Sequence, residues 1–389
     1  MQNNTILRLK MISITFAFTL LLLMPHFKHH SFSLRVHFAC TCSLIAISFA
    51  MVFMGCGNNA AHKKMPDVSH ISVDLHTYRF DLDLYSIDTN HIVTGLQQLS
   101  AKYPTFLNYF LDTVMAYGIH GNYNDSVKGI NDGLKTFLTY KGFKRLEDTI
   151  RKDYADTKDI DKTLKQGFTM LKAYYPAAVI PNIIYVNMGL SNWPAFPVDE
   201  HTVCIGLDMF LGEYFPYYAS IGVPAYMAPH LRSSYIPVAV FSTLYRTRHP
   251  FQPEDKTLLY LMIERGKEQY FLHQLLTDVP DSVLFGISGD QVDWSNDNEG
   301  MIYNFFVHNN LLYNKETMTI QPFVFEGPGT PGIPVSGKIT STPGNLGSWL
   351  GYRIVAAYMQ QHPEVTLSDL TDKPTDPVKL LSDAHYRPR

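Results

Sequence analysis

Two acidic residues one helical turn apart are the first candidates for chemistry. Glu264 and Glu268 lie in LMIERGKEQYFL, residues 261–272, whose apolar residues predict a buried helix. A carboxylate can complete a protein zinc site beside the two histidines of a His-Glu-x-x-His motif. No histidine in the chain is followed directly by Glu, and after residue 56 no two histidines are three or four positions apart. Glu264 is therefore predicted to pair with Arg265, Lys267 or a more distant arginine, with a retained role in a substrate-like groove as the alternative.

Other catalytic and cofactor motifs are absent from the sequence. The chain has no Gly-x-Ser-x-Gly elbow, no phosphate-binding P-loop and no Gly-x-Gly-x-x-Gly after a strand. Asp293, Asp297 and Glu299 in DWSNDNEG are superficially like a calcium loop, but they lack the ligand spacing and the glycine of an EF-hand. They are interpreted instead as acids near a helix N-terminus, where the helix dipole favours them. The sequence thus predicts no catalytic residues, no metal and no cofactor.

A set of large or charged residues forms a candidate groove or pocket. Its members are Glu264, Trp294, Glu299, Trp349, Tyr352 and Arg353. Arg353 is predicted one turn into a helix, where it could pair with Glu264 or Glu299 as a buried arginine–carboxylate pair. The alternative is that the aromatic members are core residues whose polar ends are satisfied.

The elements that must position these residues are mostly helical. Alternation in ISVDLHTYRFDLDLY predicts a strand with Phe80, Leu82 and Leu84 on one face and the solvated residues Arg79, Asp81 and Asp83 on the other. Helical patterns cover 89–117, with a second segment from Pro104, and continue to Tyr175.

The second half begins with two β-rich runs, AVIPNIIYVNMGL and TVCIGLDMFLG, joined by the Pro-rich SNWPAFPVDE. They predict a hairpin or two neighbouring strands. Helices follow after Pro237, from near Pro253, through 302–312, from about Gly347, and in TLSDLTD, with a Gly/Pro-rich loop at 327–344. The fold class is therefore α+β, mostly helical, with a small sheet and surrounding helices.

The N-terminal region is interpreted as a targeting segment. Residues 1–56 contain two apolar runs, Met11–Met24 and one that ends at Cys56, each shorter than the ~20 residues of a spanning helix. The end of the second run, FMGC, resembles the lipobox of a bacterial lipoprotein signal, in which Cys56 would be acylated and become the first mature residue. An uncleaved anchor is the alternative, and Met24 is a possible start. Residues 57–67 are predicted to be a tether and 68–389 a single domain.

Composition limits the classes of partner. The chain is 46% hydrophobic with a formal net charge of −3, and it has no basic stripe, so nucleic acid is not an expected partner. After Cys56 only Cys204 remains, so one mature chain has no internal disulfide.

The order of elements resembles the catalytic core of the zincin proteases of the gluzincin type. Four phrases are more specific, because they resemble the gliding-motility lipoprotein GldB family of Bacteroidota: IGLDMFLGEYFPYY, IERGKEQYFL, WSNDNEGMIYNFFVHNNLLY and GSWLGYRIVAAYM. The resemblance implies a membrane-anchored protein associated with gliding, with a zincin-like core. By position, residues 236–247 would carry the zinc motif, yet this segment contains no His, Asp or Glu, and its Ser242, Thr243 and Tyr245 do not hold zinc.

The sequence therefore favours a non-catalytic cell-envelope lipoprotein on a degenerate zincin-like scaffold. It would be anchored to a membrane through lipid on Cys56, on the periplasmic or outer-membrane face, and would bind other envelope proteins. Two alternatives remain open: an envelope hydrolase with a site around Glu264, Glu299 and Arg353, or a glycan- or peptide-binding lipoprotein.

Overall fold

The structure is a computed structural model that describes residues 65–117, 128–191 and 194–388. All of these residues belong to one compact unit, Ala61–Arg389. The proposed lipid attachment site, Cys56, and most of the proposed tether lie outside the described residues.

Helices make up most of the described residues, as predicted. In chain order they are α1 Phe80–Tyr85, α2 Ile92–Lys102, α3 Phe106–Tyr109, α4 Lys128–Thr139, α5 Lys141–Asp153, α6 Lys158–Tyr174, α7 Ile236–Arg248, α8 Leu258–Leu275, α9 Asp281–Leu284, α10 Gly289–Asp297, α11 Glu299–His308, α12 Thr317–Val324, α13 Leu346–Gln361, α14 Leu367–Asp372 and α15 Pro377–Asp383. A π-helical turn, Phe110–Val114, continues α3, and 3-10 turns occur at Leu207–Met209, Ala219–Ile221, Ala225–Leu231 and Ser233–Tyr235.

The sheet has four short strands, β1 Thr77–Arg79, β2 Asn182–Val186, β3 Ala195–Asp199 and β4 Thr202–Gly206. Their order is β1-β2-β4-β3; β1, β2 and β4 are parallel, and β3 runs antiparallel to β4. The two β-rich runs of the sequence thus form the neighbouring strands β2 and β4, which confirms one of the two predictions. The hairpin is formed instead by β3 and β4, and β3 lies inside the segment interpreted as a Pro-rich connection. An edge position tolerates Pro197 in β3.

Helices cover both faces of the sheet and form two hydrophobic cores. Successive strand residues point to opposite faces. Ile183 and Tyr185 of β2 therefore enter a core shared with α5 to α8 and with the helices after α8, whereas Ile184 and Val186 enter a core built mainly from α1 to α4. Cys204 is fully buried in the second core, and burial raises the pKa of its thiol well above the usual value.

The prediction of a strand through Phe80, Leu82 and Leu84 was wrong. β1 ends at Arg79 and α1 begins at Phe80. Phe80 and Leu84 are four residues apart and both fully buried, which suits one side of a helix as well as one face of a strand.

The prediction that Asp81 lies on a solvated face was also wrong. Its side chain is completely buried and accepts two hydrogen bonds from Arg79, from Nε at 2.9 Å and from Nη2 at 2.6 Å. Arg79 also donates to the Tyr154 carbonyl oxygen at 2.6 Å. A buried carboxylate is stable only when it is paired in this way, and removal of one partner of such a pair costs about 3–5 kcal/mol.

Helices α8 and α13 cross at backbone contact. A Cβ atom on Gly351 would lie 1.8 Å from the carbonyl oxygen of Met262, and one on Gly266 would lie 2.3 Å from the carbonyl carbon of Gly351. No side chain fits at either position, because the neighbouring atoms are backbone. This crossing fixes the position of α8, and hence of Glu264 and Glu268, relative to the C-terminal helices.

Candidate functional site

Helix α7 packs against β3, β4, α6 and α8, and its last turn faces α8. Most of α7 is buried, but its last turn carries the basic residues Arg246 and Arg248, which interact favourably with the C-terminal end of the helix dipole. α8 begins at Leu258, and the side chain of the preceding Thr257 caps the helix by accepting from the Tyr260 backbone N–H at 3.2 Å. The two helices together bring Arg246 against α8.

A three-residue ion network joins α7 to α8. Arg246 Nε lies 2.7 Å from Glu268 Oε1, and Arg265 Nη1 lies 3.1 Å from Glu268 Oε2. The Glu268 side chain is only 5% exposed, and its negative charge is balanced by these two guanidinium groups. Arg265 is held from the other side by aromatic rings, since its guanidinium lies 3.9 Å from the Phe251 ring centroid and 5.5 Å from that of Phe325.

Two adjoining cavities meet at this network. The larger, of about 430 Å³, lies between β3, the 3-10 turns and α7. The smaller, of about 330 Å³, lies between α7, α8 and the end of α12. Arg246 and Glu326 line both. We call the two together the α7 cleft; its remaining wall in the larger cavity is formed by Pro194, Ala195, Met209, Val223, Pro224, Tyr226, Met227, His230, Leu231, Tyr235, Ala239, Ser242 and Thr243.

Burial shifts the pKa values of Glu326 and His230, which both line the α7 cleft. Burial raises the pKa of Glu326 to about 7 against the opposing attraction of Arg246 and Arg265, although 42% of its side chain is exposed. Burial lowers the pKa of His230 to about 4, so the ring is neutral at pH 7. The His230 Nε2 lies 3.8 Å from Glu326 Oε1, and its Nδ1 makes no hydrogen bond of standard geometry. The cleft therefore combines two guanidinium groups that share the Glu268 carboxylate, one weakly acidic carboxyl and one neutral imidazole.

A second ion network lies in the C-terminal helices. Arg353 of α13 donates to both carboxylate oxygens of Glu299, each at 2.9 Å, and Tyr386 donates to Glu299 Oε1 at 2.5 Å. The guanidinium also lies 5.7 Å from the ring centroid of Trp349. Glu299 is 1% exposed and is the first residue of α11, so the prediction of an acid at a helix N-terminus is confirmed for it. Of the two partners predicted for Arg353, Glu264 and Glu299, the structure thus shows Glu299.

The family model of gliding motility protein GldB matches residues 61–388 of the chain. The chain belongs to the GldB family. The label of the family marks it as a lipoprotein family and associates it with gliding motility. No curated protein and no solved structure matches the chain.

Three of the six candidate pocket residues come together in this GldB-family chain, namely Glu299, Trp349 and Arg353. Glu264 instead lies 2.8 Å from the buried Nζ of Lys267, one of the partners predicted for it.

The other two candidates lie elsewhere. Tyr352 stacks on His273 at 4.2 Å between ring centroids, and burial raises its pKa to about 12. Trp294 donates from Nε1 to Ser336 Oγ at 3.0 Å. Their role in a ligand site stays a prediction.

Arg246, His230 and Glu326 of the α7 cleft were missed, because no metal-ligand or catalytic motif in the sequence includes them. Arg246 and Glu268 are 22 positions apart, and no local pattern links them. A useful signal was present all the same: α7 is almost entirely apolar until Ser242, Thr243 and Arg246, which share one side of the helix at spacings of one and four residues.

No group of three or more His, Cys, Asp or Glu side chains in residues 65–117, 128–191 and 194–388 is arranged to hold a metal ion. In the same ranges no helix has both the length and the apolar character to cross a membrane.

Proposed function

We propose that the protein is a lipid-anchored, non-catalytic component of the cell envelope, attached to a membrane through Cys56 and bound to other envelope proteins. Membership of the GldB family supports the association with gliding motility. The lipobox-like FMGC at residues 53–56 supports the anchor. Several acyl chains, each contributing about 0.8 kcal/mol per buried CH₂, hold a protein on a membrane effectively permanently.

The scaffold that we propose is that of a zincin without its metal site. Helices precede a sheet whose last strand pair is antiparallel, and α7 and α8 follow in the order of the two helices that carry zinc ligands. Ser242, Thr243 and Arg246 then have the spacing of the His, Glu and second His of the zinc motif. None of these three side chains is a usual zinc ligand.

The Arg246–Glu268 ion pair is the observation that carries the proposal. Because Arg246 has the position of the second His and contacts Glu268, we take Glu268, rather than Glu264, as the acid of α8 that would face a metal. Here Glu268 accepts from two guanidinium groups at 2.7 and 3.1 Å. A divalent cation beside it would have to displace or withstand these fixed positive charges. The charge that a metal would supply is therefore already supplied by the chain.

The test measures anchoring and metal content in the full chain. We expect a lipid label on the wild-type protein but not on the Cys56→Ala variant, and recovery in the membrane fraction only for the former. Zinc bound after purification without chelator should be far below stoichiometric. In a strain that lacks its own copy, Glu264→Gln and Glu299→Gln should leave the phenotype of the wild-type gene intact, whereas Cys56→Ala should not. Stoichiometric zinc, or peptidase activity lost in Glu268→Gln, would overturn the non-catalytic assignment.

A binding role is the second candidate, and the α7 cleft favours it. A cavity of about 430 Å³ falls in the range of small-ligand sites, which are mostly apolar with a few placed polar groups. The residues around Glu299 do not extend this argument, because Arg353 and Tyr386 already satisfy that carboxylate.

A further inference from the structure

We propose that the α7 cleft binds a carboxylate that carries a short apolar group, with the carboxylate on Arg246 and the apolar group in the larger cavity. The shared chemistry is that of a small branched carboxylic acid or of the C-terminal residue of a peptide. This inference deepens the proposed function and rests on it, since the cleft is taken to bind without cleaving.

The guanidinium of Arg246 has donors to spare. Its Nε donates to Glu268, but within the described ranges its two terminal nitrogens make no hydrogen bond. The side chain is 55% exposed, and it lines both cavities of the cleft. An arginine fork held at one nitrogen presents its other donors in a fixed plane, which suits a carboxylate. Arg246 is thus oriented by Glu268 and open to a ligand.

The charge balance at this end of the cleft favours an anion. Glu268 is one negative charge between the two positive charges of Arg246 and Arg265. Glu326 is the remaining carboxyl, and Asn345 donates to its Oε1 at 2.8 Å. His230 is neutral at pH 7 and adds no positive charge. The site therefore carries a net positive charge whenever Glu326 is protonated, and a net charge near zero otherwise.

Much of the lining of the larger cavity is apolar. Val223, Pro224, Met227, Leu231 and Ala239 line it, and the backbone of β3 closes one side at Ala195. Thr243 Oγ1 lies 3.4 Å from the Ala195 carbonyl oxygen, which ties α7 to this strand. Methionine side chains adapt to ligands of different shape. A branched aliphatic group of the size of a leucine side chain is the class that fits this wall.

The binding test uses three probes and the full-length protein in lipid nanodiscs. The probes are N-acetyl-Ala-Leu with a free C-terminus, the same peptide with a C-terminal amide, and 4-methylpentanoate. Isothermal titration should give an affinity for the free acid at least about tenfold higher than for the amide, because the amide loses a charge-assisted bidentate contact. A tighter dipeptide identifies a peptide C-terminus as the source, whereas equal affinities identify a small carboxylic acid.

Matched variants assign the binding to Arg246. Arg246→Lys keeps the charge beside Glu268 but lacks the fork, and it should bind at least about tenfold more weakly. Arg248→Gln, two residues away and paired with Asp372 on the exposed side of α7, should bind as the wild type does. Ala239→Leu fills the apolar wall and should also abolish binding, which keeps the test decisive if Arg246→Lys does not fold.

Three results would overturn the inference: equal affinity for acid and amide, wild-type affinity in Arg246→Lys, or no binding by the folded protein up to about 10 mM probe. Cleavage of the bound dipeptide would contradict the proposed function while leaving this ligand site in place. If the dipeptide is neither bound nor cleaved, only the proposed ligand site is contradicted.

Discussion

The Nε atom of Arg246 lies 2.7 Å from a carboxylate oxygen of Glu268, and this contact joins the last turn of α7 to the middle of α8. The same carboxylate also holds Arg265, so a single buried acid orients two guanidinium groups at the meeting point of two cavities. Stability and ligand binding at this point therefore depend on one side chain.

Replacement of Glu268 by Gln should lower the free energy of unfolding by about 2–3 kcal/mol. The neutral amide leaves Arg265, which is 16% exposed, without its counter-charge, whereas Arg246 is exposed enough to be rescued by water. Urea unfolding followed by circular dichroism measures the change. Asp156→Asn, in the exposed pair with Lys158, is the control and should leave the unfolding midpoint unchanged. Equal effects of the two variants would show that burial of the Glu268 network contributes nothing.

Replacement of Gly351 by Ala should destabilise the protein by about 2–4 kcal/mol. The new Cβ would lie 1.8 Å from the Met262 carbonyl oxygen, so α8 and α13 would have to move apart. Gly129→Ala in α4 is the matched control. Apart from its chain neighbours and the backbone of its own helix, no atom of the described residues lies within 4 Å of the position that the methyl group would occupy, and alanine favours a helix over glycine by about 0.5–1 kcal/mol. Thermal unfolding should shift in opposite directions for the two variants, and a stable Gly351→Ala would contradict the close crossing.

The pH dependence of stability should report Asp208. Burial raises the pKa of this carboxyl to about 6 from its ordinary 3.8, although the backbone N–H groups of Met188 and Leu190 donate to it at 3.0 and 2.7 Å. The folded state therefore binds the proton more tightly than the unfolded state. The resulting stability is fully present below pH 3.8 and is lost as the pH rises through 6.

The measurement compares unfolding free energies of the wild type and Asp208→Asn at pH 5 and pH 7. Relative to the variant, the wild type should gain about 1 kcal/mol on going from pH 7 to pH 5. Parallel curves for the two proteins would mean that Asp208 does not titrate in this range.

Carboxylate binding in the α7 cleft should strengthen as the pH falls through about 7, the pKa of Glu326. Protonation of Glu326 removes a like charge from the ligand site. The charged and titratable groups that face Glu326 from the surrounding elements are Arg246, Arg265, Glu268, Tyr235 and His230. His230, with its pKa lowered to about 4, stays neutral between pH 6 and pH 8.

The expected size of this effect is about threefold between pH 8 and pH 6, because solvent screens a group whose side chain is 42% exposed. Titrations of N-acetyl-Ala-Leu at both values measure it. Glu326→Gln is the control and should bind equally at pH 6 and pH 8. A wild-type affinity that does not change with pH would show that Glu326 does not repel the ligand.

The sequence predicted the long elements well and the short ones poorly. Pro237 and the apolar spacing predicted α7, and Thr366 predicted the capped helix α14, because these signals are local. Phe80 to Leu84 were mistaken for a strand because Phe80 and Leu84, four residues apart, lie on one side of a helix as well as on one face of a strand. Whether Asp81 is solvated or buried is decided by Arg79 and by the packing of β1 beside β2, which no local pattern records.

The sequence predicted the candidate site only for Arg353 and Glu299, which lie in phrases that resemble the GldB family. Arg353 and Glu299 could be paired from the sequence, since each lies near the start of a predicted helix rich in aromatic residues. The pair Arg246 and Glu268 could not, because it depends on how α7 packs against α8, and no local pattern records that packing.

The alternation of β2 between two cores makes its alignment a shared property of both halves of the fold. A slip by one residue would move Tyr185 out of reach of Asp161, to which its hydroxyl donates at 2.6 Å, and would carry Ile184 and Val186 into the opposite layer. Neither layer can therefore change its alignment with β2 independently of the other. We expect the two layers to gain protection from hydrogen exchange together, and this coupling would leave no half of the domain able to persist as a stable folding intermediate.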